Sequence, residues 1–170
     1  MSCFYCRINF SGAVQIIGRE ILLPITKIAP NLEVSMTTFM TKHLPAQPDA
    51  IAPDGSDVRV LLSLKGGGLA HFELAPGQTS VAVAHHTVEE IWYFLNGRGE
   101  MWRELKGIEE IVAVEPGVCI TIPVGTKFQF RSFGNIALAA VGVTMPPWPG
   151  AGEAYPVEGK WEATVKPGTG

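Results

Sequence analysis

From Val58 onward the sequence is a series of short apolar runs, broken by turn signals roughly every ten residues. The signals are Lys65-Gly66-Gly67-Gly68, Pro76-Gly77, Asn96-Gly97, Lys106-Gly107, Pro116-Gly117, Pro123-Val124-Gly125 and Gly134-Asn135. Glycine at such positions accepts the positive φ that a tight reversal demands, and proline presets the residue before it. Nine runs lie between these signals, at 58–64, 69–75, 79–85, 89–96, 99–104, 109–114, 118–122, 127–132 and 136–144. Each is rich in Val, Ile, Phe, Trp or Thr, and no helical period links them. The spacing predicts an all-β fold, an antiparallel sandwich or jelly-roll barrel over residues 58–145.

The flanks have a different texture. Residues 1–57 show no sustained period, and the stretch from Leu44 to Ser56 carries three prolines that block ladder pairing. An irregular N-terminal arm is expected there, lying along the barrel or along a neighbouring subunit. Met36 and Met40 offer alternative starts, which would leave residues 1–35 outside the native product. Residues 146–170 are rich in Pro and Gly. Their first stretch, within Met145 to Gly150, reads MPPWPG and cannot form a central strand. An extended tail is expected to pack on the barrel, with Trp148 and Trp161 as its anchors.

Composition narrows the function classes. Charged residues make up 17% of the chain and the net charge is −3, so nothing forms a basic stripe that would track a phosphate backbone. No apolar stretch is long enough for a membrane span. The run from Ile16 to Ala29 is interrupted by Arg19, Glu20, Pro24 and Lys27 and lacks the order of a secretory signal. The three cysteines, Cys3, Cys6 and Cys119, do not suggest a disulfide framework. Cys3 and Cys6 would make half a zinc site, but no second pair supplies the other two ligands. A cytoplasmic protein that binds neither membrane nor nucleic acid is expected.

Residues 77–132 hold two linked motifs. The first contains Gly77, His85, His86, Glu90 and Gly97, and the second contains Gly117, Pro123, Gly125, Phe128 and Ser132. Together they resemble the paired motifs of the cupin family. The resemblance is close from Gly77 to Ser132 and extends by strand pattern over 58–145. Within cupins, TMPPWPG after the last strand resembles one subgroup of small single-domain members. The resemblance implies a cupin-type double-stranded β-helix, and by likeness to other small cupins a homodimer that exchanges or pairs edge strands.

The family's first motif supplies two histidines and a glutamate, and the second adds a further histidine. Such residues hold Mn, Fe, Zn, Ni or Cu in the barrel mouth and leave positions open for substrate or oxygen. This sequence departs from that set. Phe128 stands at the second-motif histidine, and one first-motif histidine position holds either Ala84 or Val83. A strand turns only alternate side chains inward, so in a regular strand only one of His85 and His86 faces the interior. Glu90 stands at the motif glutamate, and alternation carries Trp92 and Phe94 to the same side while Ile91 and Tyr93 point away. His71 alternates with Glu73 on the preceding strand, either as a replacement ligand or substrate contact, or as an exposed residue.

The candidate ligand-binding residues are His71, His85, His86, Glu90, Trp92, Trp102 and Phe128. The candidate metal ligands are His85, His86 and Glu90, which would hold at most a weakly bound divalent Mn, Fe, Zn or Ni. Three functions compete. One is a small-molecule-binding cupin with a degenerate metal site, taking a sugar, a sugar phosphate or a small organic acid. In that case Arg98, Arg103, Lys127 or Arg131 would meet an anion at the mouth. Another is a metal-dependent isomerase or dioxygenase with an incomplete ligand set. The third is a non-catalytic barrel that serves oligomerisation.

Overall fold

The structure is a computed structural model that describes residues 39–169. The Cys3 and Cys6 pair, the question of residues 1–35, and most of the expected arm lie outside the described residues. The elements are β1 (Ala50–Ile51), β2 (Asp57–Leu64), β3 (Gly67–Leu74), β4 (Val83–His85), β5 (Glu89–Asn96), β6 (Arg98–Leu105), β7 (Ile108–Val114), β8 (Cys119–Ile122), β9 (Lys127–Phe133), β10 (Leu138–Met145) and β11 (Ala154–Pro156). Among the described residues no helix is long and apolar enough to cross a membrane.

Two antiparallel sheets face one another. One has the order β1-β2-β3-β10-β5-β8 and the other β11-β4-β9-β6-β7. From β4 to β10 the chain passes from sheet to sheet at almost every connection, and only the β6–β7 hairpin stays in one sheet. That winding gives a double-stranded β-helix of the jelly-roll type. The turns form where the sequence marks them: Gly77, Gly97, Gly107, Gly117, Gly125 and Gly134 all adopt positive φ.

Two expectations shift in detail. The run at 79–85 forms a strand only over Val83–His85, although Thr79 makes an isolated bridge to Arg131. Gly67 and Gly68 belong to β3 and not to the preceding turn. They pair with Leu64 and Ser63 on β2, and a side chain at Gly67 would strike the Thr144 carbonyl oxygen on β10.

Period-two alternation fills the space between the sheets. Leu74, Val83, Trp92, Phe94, Met101, Val114, Ile120, Ile122, Phe128, Phe130, Leu138 and Ala140 form one buried cluster. Gly99 lets β6 and β9 approach, since a Cβ there would overlap the Arg131 carbonyl oxygen.

The flanking segments are held by specific bonds. Arg59 donates through Nε to the Pro45 carbonyl (2.9 Å) and through Nη2 to that of Ala46 (3.3 Å). Asp49 accepts from the Val60 amide at 2.8 Å, so residues 45–49 run along β2. The tail is not wholly irregular. After Pro146, Pro147 and Pro149 the chain forms β11, which pairs antiparallel with the short strand β4 and becomes the edge of that sheet. Beyond it, Gln129 receives the Trp161 amide and donates to the Trp161 carbonyl, both at 2.9 Å. The Arg131 guanidinium lies 4.3 Å from the Trp161 ring centroid.

Replacing Gly99 by Ala is expected to cost about 3 kcal/mol, because the clash is with a neighbouring backbone carbonyl. Gly107→Ala meets nothing within reach and is expected to cost about 1 kcal/mol, from its positive φ alone. Urea denaturation of both variants checks the difference.

Candidate functional site

The space between the sheets is not completely filled. A cavity of ≈150 Å³ remains at one end of the barrel. Its walls come from β2 (Val58, Val60), β3 (Ala70, Phe72), β4 (Val83, His85), β5 (Glu90, Trp92) and β9 (Phe128). Residues 50–54 add to it ahead of β2, and Trp148 and Ala154 add to it from the tail.

Alternation decides which candidates reach this space. On β5, Glu90, Trp92 and Phe94 are buried, whereas Ile91 and Tyr93 are 41% and 46% exposed on the outer face. On β4, Val83 and His85 line the cavity. His86 is exposed and stacks on Tyr155 of β11, with ring centroids 4.3 Å apart. Val83 therefore occupies the position of the missing first-motif histidine. It lies directly opposite Phe128 on β9, at the position of the second-motif histidine.

Three candidates lie elsewhere. His86 faces away from the cavity for the reason just given. His71 is buried on the outer face of the six-stranded sheet, directly between Arg59 and Val141, because Ala70 and Phe72 take the inner places on β3. Its Nδ1 has no hydrogen-bond partner among the described residues. Burial, and then the neighbouring Arg59 charge, lower its pKa. Trp102 is buried on the outer face of the other sheet, beside Gln129, while Met101 holds the adjacent inner place against Phe130.

The four cations expected at the mouth do not line the cavity either. Arg103 pairs with Glu110, Lys127 with Glu104 and Arg131 with Glu100. The structure adds residues that the sequence pattern did not single out, chiefly Asp54, Phe72 and Trp148. Phe72 was legible from its alternation with His71. Trp148 carried a signal as an aromatic ring among prolines just after the last barrel strand. The inward turn of Asp54 had none beyond its Asp-Gly-Ser turn.

The cavity wall is aromatic. Trp92 stacks on Phe72 with centroids 4.6 Å apart and planes 12° apart. His85 is held edge-on between Phe128 and Trp148, each at 5.3 Å. Glu90 sits among these rings, and its Oε2 accepts the Trp92 indole N–H at 2.9 Å. Burial pushes the Glu90 carboxyl up to about 8; the Trp92 bond opposes this and the nearby Asp54 adds to it. Burial lowers the His85 imidazole to about 4, although Glu153 favours its charged form. Asp54 is also raised by burial, against hydrogen bonds from the Ser56 hydroxyl and amide at 2.6 and 2.8 Å. Near neutral pH the cavity thus holds a neutral imidazole and an uncharged Glu90 carboxyl.

Just outside the cavity, Glu153 of the tail fixes the turn between β4 and β5. Its carboxylate accepts the Thr87 and Val88 amides at 2.6 and 2.7 Å and the Thr87 hydroxyl at 2.9 Å. Together with the β4–β11 pairing, this side chain ties the backbone that carries His85 to Glu90 to the tail.

The divalent metal implied by the motifs does not fit these residues. His85 and Glu90 are the motif donors that reach the cavity, and Val83 and Phe128 occupy the other ligand positions. Asp54 also lines the cavity, with its Oδ1 bonded to Ser56, and does not restore the missing imidazole donors. Among the described residues no group of three or more His, Cys, Asp or Glu is placed to hold a metal ion.

The chain matches the cupin-domain family model over residues 70–143. An uncharacterized protein of Methanocaldococcus jannaschii is 32% identical over 120 residues, covering 68% of this chain and 92% of that protein. Ectoine synthase from P. lautus superposes with a TM-score of 0.55 at 23% identity, covering 75% of this chain and 96% of the other. An uncharacterized conserved protein with a double-stranded β-helix domain from Klebsiella pneumoniae gives a TM-score of 0.51 at 18% identity, covering 61% and 85%. At these identities the two solved structures bear on the fold alone.

The two perturbed groups predict a shaped pH profile. Glu90 is raised on folding from 4.5 to about 8, so its contribution to stability is lost as pH rises across that window. His85 is lowered from 6.5 to about 4, so its contribution is lost as pH falls across that window. The two slopes oppose each other between 4.5 and 6.5, which leaves the Glu90 decline visible from 6.5 to 8. Wild type is expected to lose about 2 kcal/mol over that last interval. Glu90→Gln is expected to lose none of it. The difference between their urea-denaturation curves across pH isolates Glu90 from Asp54 and from other groups.

Proposed function

Since the chain belongs to the cupin superfamily, we propose that its barrel binds a small organic molecule in the cavity between β2, β3, β5 and the tail. The observation that carries this reading is the cavity itself. It is bounded by the rings of Phe72, Trp92, Phe128 and Trp148, and it contains two groups, Glu90 and His85, that can exchange hydrogen bonds with an occupant. Of the expected classes, a sugar phosphate or an organic acid finds no lysine or arginine on the cavity wall among the described residues. A pooled screen of small neutral, acidic and basic molecules, read by thermal shift, tests the reading. A bound occupant at a hundred times its Kd is expected to add about 2.7 kcal/mol of stability and to raise Tm by several degrees. No shift from any pool would defeat it.

A metal-dependent isomerase or dioxygenase draws no support from the donor set, and the reading requires no resident metal. Purified protein is expected to contain no stoichiometric Mn, Fe, Zn or Ni by elemental analysis. Dialysis against a chelator is expected to leave Tm within about 1 °C of the starting value. The Thr144–Gly150 run supports membership of the small-cupin subgroup with TMPPWPG, in which Trp148 would be a wall residue of the cavity.

The reading includes a cytoplasmic homodimer with no membrane or nucleic-acid partner. The sparse cysteines and the lack of a basic stripe support the location and the exclusions. Ile91, Tyr93, Leu95 and Val143, between 38% and 46% exposed on the outer face of neighbouring strands β5 and β10, support the dimer. Light scattering after size exclusion is expected to give twice the chain mass for wild type, and the chain mass for Tyr93→Glu.

A further inference from the structure

The geometry points to an uncharged, single-ring molecule bearing one hydrogen-bonding oxygen or nitrogen as the ligand class of this cavity. The inference rests on the small-molecule reading above and is narrower than it. Size comes first. At ≈150 Å³ the cavity matches the volume of an apolar protein cavity that admits benzene, and it is too small for most cofactors.

The wall chemistry comes next. Phe72 on β3, Trp92 on β5, Phe128 on β9 and Trp148 in the tail bring four rings from four separate parts of the chain to one space. Val58, Val60, Ala70 and Val83 supply aliphatic surface between them. A sugar of the same size would bring a hydroxyl on nearly every carbon, and each buried hydroxyl without a partner is costly. The polar groups on the wall are few. Ser56 engages Asp54 through Oδ1 alone, and Thr144 points its hydroxyl towards the Gly68 carbonyl at 3.4 Å. Glu90, His85 and the second Asp54 oxygen are left, which suffice to orient one polar substituent and fall short of what a sugar's ring of hydroxyls needs.

The placement of those groups sets the pose. Glu90 is 3% exposed, whereas Val60 and Ile51 on the same wall are 54% and 41% exposed. Val60 and Ile51 therefore form the rim, and Glu90 lies at the inner end. Trp92 fixes one Glu90 oxygen at 2.9 Å, and the other remains for the occupant. The ring lies between Phe72, Trp92, Phe128 and Trp148, with its polar substituent directed at Glu90.

Four single-ring probes separate the classes: acetophenone, glucose, glucose 6-phosphate and benzyltrimethylammonium. Each is titrated into the ¹⁵N-labelled full chain, with the Trp92 indole N–H resonance as the readout. Acetophenone is expected to move that resonance in the millimolar range or below, with an affinity about tenfold or more above the other three. Glu90→Leu is expected to weaken acetophenone about tenfold, and Glu90→Gln to change it by less than about threefold, because the amide keeps a hydrogen-bonding group of the same shape at that place. Val60→Trp, at the exposed rim, is expected to abolish the shift, and it keeps the test decisive if a Glu90 variant does not fold. Tighter binding of glucose, glucose 6-phosphate or the ammonium overturns the ligand class and leaves the small-molecule reading standing. Silence from all four overturns the class, and silence from a wider fragment library as well overturns the reading beneath it.

Discussion

A β-strand gives the barrel interior every second side chain, and the character of this molecule follows from how those places are filled. On β4 they go to Val83 and His85, on β5 to Glu90, Trp92 and Phe94, and on β9 to Phe128 and Phe130. From these strands Glu90 and His85 thus stand in a wall that is otherwise largely aromatic and aliphatic. Neither has an opposite charge beside it within the cavity, so burial dominates both and holds each in its neutral form. In a cupin with a full donor set a cation would reverse that balance. Here the Phe128 ring packs edge-on against His85, and the Trp92 indole donates to Glu90.

Much of this was legible in the sequence, because the relevant signals are local. Turn residues fix where the strands end, and eight of the nine expected strands recur with small shifts at their ends, while the run at 79–85 is cut to Val83–His85. The orientation of β5 follows from its own alternation, since Trp92 and Phe94 are large apolar residues that carry Glu90 inward with them. The choice between His85 and His86 was not legible. Their neighbours, Val83 and Ala84, are both apolar, and the decision falls to pairing with β9 and β11, which are distant in sequence. Trp102 misled for a related reason. Met101 and Trp102 are both buried, one against the core and the other on the outer face beside Gln129, and an isolated strand does not reveal which side is which.

The tail was the least legible part. Prolines at 146, 147 and 149 correctly rule out a continuing strand, but they do not show where the chain goes next. Its course is set by three long-range attachments: the pairing of β11 with β4, the hold of Glu153 on Thr87 and Val88, and the grip of Gln129 on Trp161. None of these has a spacing rule in sequence. Together they explain why Trp148, first read as a surface anchor, serves as a wall.

The arrangement of that wall also has a temporal side. Synthesis proceeds from the N-terminus, so every strand of the barrel through β10 leaves the ribosome before Trp148, Glu153 and β11 do. A nascent barrel would have its aromatic interior open at the His85 side, with the β4 edge unpaired, until the chain through Pro156 had emerged. The same segment that completes the cavity also covers a sticky edge, so the doorway to the interior closes only after the rest of the barrel has been made.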